Sequence, residues 1–186
     1  MSTVPSKLPV CTVEDYKLMP ETGPRYQLVE GDLLMSPAPN RYHQDISRNL
    51  EYQLLRYLES HPFGILYHAP FDVYLDDINV FQPDIAVILN ANRGILNDAG
   101  TEGAPDLIVE ILSPKTRRID LDPKKKVYAR AGVKELWIID PEPQRIDVFE
   151  LPRSVEHPAR VWGVESTLSS ELLPELAIAA AKVFAR

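Results

Sequence analysis

Apolar residues recur along this chain with two periods, and the switches between them mark its elements. Between Arg41 and Ser60, the residues Ile46, Leu50, Leu54, Tyr57 and Leu58 return at helical spacing, with Asp45, Arg48, Glu51 and Arg56 elsewhere. That spacing lays one apolar stripe along a helix, and His61-Pro62-Phe63-Gly64 ends it. From Ile65 to Leu75 the period falls to two, with Ile65, Tyr67, Ala69, Phe71, Val73 and Leu75 on one face. This predicts a strand, and Pro70 inside it predicts an edge position or a bulge. Asp76-Asp77-Ile78-Asn79 turns the chain into VFQPDIAVIL, residues 80–89, an apolar strand carrying one carboxylate, Asp84. Residues 90–104 are polar and contain glycine, which predicts a loop.

Upstream, Thr12 is an N-cap for a short helix that Pro20 stops. Residues 26–35 read as two short strands around a Gly31-Asp32 turn, and Ser36-Pro37-Ala38-Pro39-Asn40 breaks any continuation. Downstream, LIVEIL at 107–112 is a buried strand, and Asp122 and Pro123 suit the N-cap and first position of a helix. Gly132 stands where that helix should end, followed by a strand, ELWIID, and a hairpin return through RIDVFEL. Val161–Val164 and Leu176–Phe184 add a strand and a short terminal helix. The sum is α/β in outline, a mixed and mostly antiparallel sheet flanked by helices. One domain is expected from residue 12 onward, with residues 1–11 as a flexible N-terminal arm.

The chain's 186 residues suffice for a core without staples. A single cysteine, Cys11, excludes an internal disulfide framework and a cysteine-built zinc site, and points to a reducing, cytoplasmic setting. No apolar run reaches the ~18–20 residues of a membrane span, and the N-terminus lacks the apolar core of a secretory signal. The net charge of −7 argues against a phosphate-rich partner until its distribution is considered. Between Ser113 and Lys134 stand eight basic residues, Lys115, Arg117, Arg118, Lys124, Lys125, Lys126, Arg130 and Lys134, against only Asp120 and Asp122. The segment therefore carries +6 and the remainder −13. Such a stretch is either a solvated basic face or a wall for phosphates.

The chemistry starts from Glu110, a carboxylate in the middle of a buried run, which is costly there unless paired or metal-bound. Asp84 opens its strand and Glu110 falls near the end of its own. If those strands are antiparallel neighbours, both carboxylates meet at one edge of the sheet. Such a pair suits a hard cation, Mg²⁺ or Mn²⁺, that keeps several waters. The bland alternatives are a turn cap for Asp84 and a core ion pair with an arginine for Glu110. At ~100° per residue, Lys124 shares a helix face with Val127, Tyr128 and Ala131, while Lys125 and Lys126 turn toward solvent or phosphate. Two carboxylates, a divalent cation and an inward lysine make a coherent apparatus for phosphodiester hydrolysis. Asp120, close to the lysine, reads as an orienting or capping group.

Asp84 in Gln82-Pro83-Asp84 and Glu110 in VEILSP, with the elements around them, resemble the PD-(D/E)XK nuclease superfamily. More closely, the chain is similar to its branch of restriction-endonuclease-like proteins of bacteria. The matching segments are YQLVEGDLLMSPAP, the helix opening RYHQDI, FDVYLDDINVFQPDIAVIL and GAPDLIVEILSPKTRRIDLDPKKKVYARAGVKELWIIDPE. The resemblance spans roughly residues 12–150. It implies a restriction-endonuclease-like fold and an endonuclease that cuts DNA with Mg²⁺ or Mn²⁺, as a homodimer because two strands need two sites. It implies Asp84 and Glu110 as metal ligands, Lys124 as the catalytic lysine and Glu30 as an additional catalytic acid. His43, Lys115, Arg117, Arg118 and Lys125 are the candidate nucleic-acid contacts. One departure is that the superfamily pattern puts a lysine two residues after Glu110, where this chain has Leu112, so the role passes to Lys124 on the following helix. A fold retained as a binding module for nucleic acid or a partner, without turnover, is the alternative.

Overall fold

Two prolines decide the architecture. A proline brings no amide to a strand ladder, so pairing stops where it stands. In the computed structural model, which describes residues 10–20, 22–114 and 117–186, the alternating stretch 65–75 is therefore two strands parted at Ala69-Pro70. The apolar stretch 80–89 is likewise two strands, parted at Gln82-Pro83-Asp84. In both cases the chain leaves one sheet and enters another, correcting the expectation of two long uninterrupted strands.

The N-terminal half contains α1 (Val13–Lys17), β1 (Tyr26–Val29), β2 (Asp32–Met35), α2 (Arg41–Ser60), β3 (Gly64–His68) and β4 (Asp72–Asp76). β5 (Asn79–Phe81) and β6 (Ile85–Leu89) follow. The stretch expected to be a loop holds a 3₁₀ turn at Asn90–Ile95 and two short strands, β7 (Leu96–Asn97) and β8 (Gly100–Glu102). Then come β9 (Leu107–Ile111), a continuous helical segment from Arg117 to Ala131, and the hairpin β10 (Glu135–Asp140) and β11 (Arg145–Glu150). The chain ends in β12 (Arg160–Trp162), β13 (Thr167–Leu168), β14 (Ile178–Ala179) and α3 (Ala180–Val183).

Strands β2-β1-β5-β4-β8-β7 form one sheet and β12-β11-β10-β9-β6-β3 the other. Pairing is antiparallel except for β4 with β8 and β9 with β10, the latter joined across the helical segment as a parallel pair requires. The second sheet is covered on both faces, which explains why its central strands read as continuous apolar runs. Leu107, Val109 and Ile111 of β9 face α2 with Ile46, Leu50 and Leu54. Ile108 and Leu112 face the opposite way, with Val127 and Tyr128 of the helical segment. By this alternation Glu110 belongs to the second face. The two sheets and their covering helices make one domain of mixed, mostly antiparallel α/β architecture.

The helical segment begins at Arg117, ahead of the expected start at Asp122. Its middle, Asp120–Lys124, is a π-helical turn that contains Pro123. Proline cannot donate to the ladder, and the widened turn accommodates the missing bond. Gly132 ends the segment at φ +100°, a left-handed conformation that glycine adopts without a Cβ penalty. Thr12 caps α1, as the sequence suggested, and the Asp15 side chain accepts in return from the Thr12 amide. Of the expected N-terminal arm, residues 1–9 lie outside the described residues, while the Cys11 amide donates to the Gly31 carbonyl at 3.0 Å. Among the described residues no helix is long and apolar enough to cross a membrane.

Candidate active site

Both chain crossings between the sheets fall at one corner. There the Ala69 amide donates to the Asp84 carbonyl at 3.1 Å, and a cleft of about 550 Å³ opens. Its lining draws on β1, the loop 36–40, the start of α2, the crossing Gln82–Asp84, the end of β9 and the π-helical turn.

Strands β6 and β9 are antiparallel neighbours with Ile85 opposite Val109 and Ala86 opposite Ile108. One step further along this register, Asp84 lies opposite Glu110, and both line the cleft. The expectation that the start of one strand meets the end of the other is met. Asp84 Oδ2 accepts from the Ile111 amide at 2.7 Å.

Glu110 is 4% exposed, and its Oε1 accepts from Lys124 Nζ at 3.0 Å and from the Tyr128 hydroxyl at 2.6 Å. Lys124, as buried as its partner, also reaches Asp120 Oδ1 at 3.2 Å and stands 5.5 Å above the Phe81 ring. Asp120 therefore orients the lysine, from one turn earlier on the same helix. Glu110's environment is an ion pair, with a lysine rather than the arginine of the bland reading. Burial pushes the Glu110 carboxyl up to about 7, with the Lys124 ammonium pulling against it and Asp120 and Asp84 adding to the rise. Burial works against charge on Lys124 as well, but Glu110 and Asp120 outweigh it and raise its pKa, so Lys124 stays an ammonium.

His43 comes from the other side of the sheet. It is 8% exposed, and its Nε2 lies 3.3 Å from Asp84 Oδ2. Burial lowers its pKa, yet the neighbouring Asp84 carboxylate outweighs it and carries it above the ordinary value.

The remaining expectations divide. Glu30 does not join the cleft: it occupies the β1–β2 turn at φ +51° and pairs with Arg130 at 2.7 Å, half exposed. The β1 side chain that does line the cleft is Gln27, whose Oε1 accepts from the Gln82 amide at 3.0 Å. Strand alternation gives the reason, since Gln27 and Glu30 are three residues apart and cannot share a face. Lys125 is not solvated: it is 9% exposed with Nζ 4.5 Å from the Phe149 ring centroid. Its stem lies on apolar surface while its charge rests over the ring. Lys126 is exposed and pairs with Asp122 at 2.7 Å.

Arg117 is half exposed and bonded to Asp140 at 2.7 Å, Arg118 is exposed, and Lys115 lies outside the described residues. Arg130 and Lys134 pair with acids of other elements. Five of the seven described basic residues of the +6 segment are thus in ion pairs, which removes most of the phosphate wall the sequence suggested. Two further arginines, Arg25 and Arg48, line the cleft, Arg48 in an ion pair with Asp45 at 3.2 Å. Sequence reasoning missed these two, and it counted Tyr128 as apolar although its position one turn after Lys124 directs its hydroxyl to the same carboxylate.

The donor set fits a hard divalent cation. The hydrogen bonds found among the described residues engage one oxygen each of Asp84 and Glu110, leaving Oδ1 and Oε2 as further oxygen donors. No group of three or more His, Cys, Asp or Glu side chains arranged to hold a metal occurs among the described residues. A cation bound by two carboxylates that retains its waters, as Mg²⁺ does, is the kind that matches.

A crystal structure of a "putative nuclease belonging to DUF820" from Anabaena variabilis ATCC 29413 is similar over 93% of this chain and 97% of its own, with a TM-score of 0.76 at 19% identity. At that identity the likeness shows a shared fold. None of the curated proteins compared matches the chain. The family model described as Uma2, "Putative restriction endonuclease", matches residues 13–181. That span takes in Asp84, Glu110, Lys124 and all the elements that place them, and the chain belongs to the Uma2 family.

Proposed function

We propose that this protein is a divalent-metal-dependent endonuclease that hydrolyses phosphodiester bonds of DNA, with Mg²⁺ or Mn²⁺ held by Asp84 and Glu110. The observation that carries this reading is the opposed carboxylate pair in a cleft with Lys124 buried 3.0 Å from Glu110. A bound divalent cation supplies a water of lowered pKa and polarises the phosphoryl group. Lys124, held as an ammonium by two carboxylates, is unsuited to accept a proton. Its part is to stabilise negative charge as it develops on the phosphoryl oxygens. Tyr128 and Asp120 keep Glu110 and Lys124 in place. Arg25 and Arg48 attract the phosphate backbone at the rim, and Arg117, Arg118 and Lys115 are the proposed contacts beyond the cleft-lining Ser113-Pro114. Cutting both strands of a duplex calls for two such sites, hence a homodimer, working in the cytoplasm.

The test is conversion of supercoiled plasmid to nicked or linear forms. It should proceed with Mg²⁺ or Mn²⁺, stop with EDTA, and be absent in Asp84→Asn and Glu110→Gln proteins that keep the wild-type circular dichroism. Wild-type protein that leaves DNA and RNA intact with either ion would sink the reading. One observation favours the competing view of a binding module without turnover: Glu110 Oε1 is already occupied by Lys124 and Tyr128. Retardation of DNA in a gel without cleavage is the result that view expects.

A further inference from the structure

His43 reaches the carboxylate pair from α2, on the face of the sheet opposite Lys124. Its backbone is fixed at the helix start, where its amide donates to the Asn40 side chain at 2.9 Å. The two ring nitrogens have unlike surroundings. Nε2 stands 3.3 Å from Asp84 Oδ2, whereas Nδ1 is buried with no hydrogen-bond partner.

An imidazole has three forms to choose from. With the only proton on Nδ1, a donor would be stripped of water without an acceptor, and the bare lone pair of Nε2 would face a carboxylate oxygen. Both contacts are unfavourable. The two remaining forms, neutral or cationic, share a proton on Nε2. In either of them the Nε2 proton faces Asp84 Oδ2 across 3.3 Å, the same oxygen that accepts from the Ile111 amide at 2.7 Å. One carboxylate oxygen is thus approached by donors from two elements, β9 and α2.

We infer that His43 is a positioning residue whose Nε2–H fixes Asp84 so that Oδ1 is presented to the cation, rather than a phosphate contact or a ligand in its own right. A nitrogen that carries a proton toward Asp84 has no lone pair to offer a metal. The inference rests on the metal role of Asp84 proposed above.

Two measurements test it on the full chain. The first is a two-bond ¹⁵N–¹H spectrum of metal-free protein labelled at histidine, with His43 assigned among the four histidines by its loss in His43→Gln. Protonated Nε2 is expected, and a bare Nε2 overturns the inference whether or not the protein is a nuclease. The second is calorimetric titration with Mn²⁺. Groups that orient a ligand are worth roughly 10–100-fold in metal affinity, so His43→Ala should weaken binding by about that factor. Gln extends its amide to about where Nε2 stands, and Asn only to where Nδ1 stands, so His43→Gln should recover most of the affinity and His43→Asn little. Wild-type affinity in folded His43→Ala, or Gln no better than Asn, overturns the inference. If wild-type protein binds no Mn²⁺, the metal reading fails instead, and the ¹⁵N spectrum still decides the His43–Asp84 bond.

Discussion

Lys124 and Glu110 form an ion pair 3.0 Å long with side chains 4% and 5% exposed. Neither charge has water to fall back on, so each depends on the other and on Asp120 and Tyr128. The pair is at once a structural necessity of the core and the centre of the proposed chemistry, and the two roles separate experimentally.

Removing one partner of a buried pair leaves an uncompensated charge, at a cost of about 3–5 kcal/mol. Lys124→Met should lower stability by that amount in urea unfolding. The double variant Lys124→Met with Glu110→Gln should recover part of it, because no carboxylate then remains to be compensated at position 110. Plasmid cleavage should be lost in both single variants and stay lost in the double. A double variant as unstable as the sum of the singles would show that the pair is not coupled.

Glu30 lies on the protein surface with Arg130, in the exposed class of ion pairs worth about 0–1 kcal/mol. Glu30→Gln should therefore cleave plasmid at the wild-type rate and shift the urea midpoint only slightly. A hundredfold loss of cleavage would restore Glu30 to the catalytic set that the family resemblance implied.

Strands β4 and β8 approach closely at Gly100. Its φ is +142°, and a Cβ there would stand 2.0 Å from the Asp72 carbonyl oxygen. Gly100→Ala combines backbone strain of about 1–3 kcal/mol with a backbone clash, and should destabilise by at least that much in thermal or urea unfolding. Gly94→Ala is the control, since a Cβ at Gly94 meets nothing within 4 Å. Equal stability of the two variants would contradict the described β4–β8 contact.

Tyr74 gives a pH-dependence with a definite sign. Burial, then the charge of Asp72 and the hydrogen bond to it, raise its hydroxyl from 10.0 to about 12. The native state thus holds this proton more tightly than the unfolded chain. The associated stability is fully present below pH 10 and is lost as pH rises from 10 toward 12. Thermal midpoints should fall over that window, less steeply in Tyr74→Phe. Identical slopes for the two proteins would refute the assignment.

The sequence by itself determined what depends on local period. The apolar run marked Glu110 as a lone carboxylate in a buried strand, and helical period selected Lys124 from three successive lysines, because side-chain direction is fixed within an element. Where Asp84 and Glu110 fall along their strands showed that they would meet if those strands paired antiparallel, and the fold supplied that pairing. Tertiary structure decided which element covers which face and which charge meets which. His43 reaches Asp84 from a helix far away in sequence, and Arg130 and Lys134 find Glu30, Asp76 and Asp106 on other elements. Periodicity encodes a direction, not a partner. A run of basic residues that looks free for phosphate can therefore be largely neutralised by acids that only folding brings near.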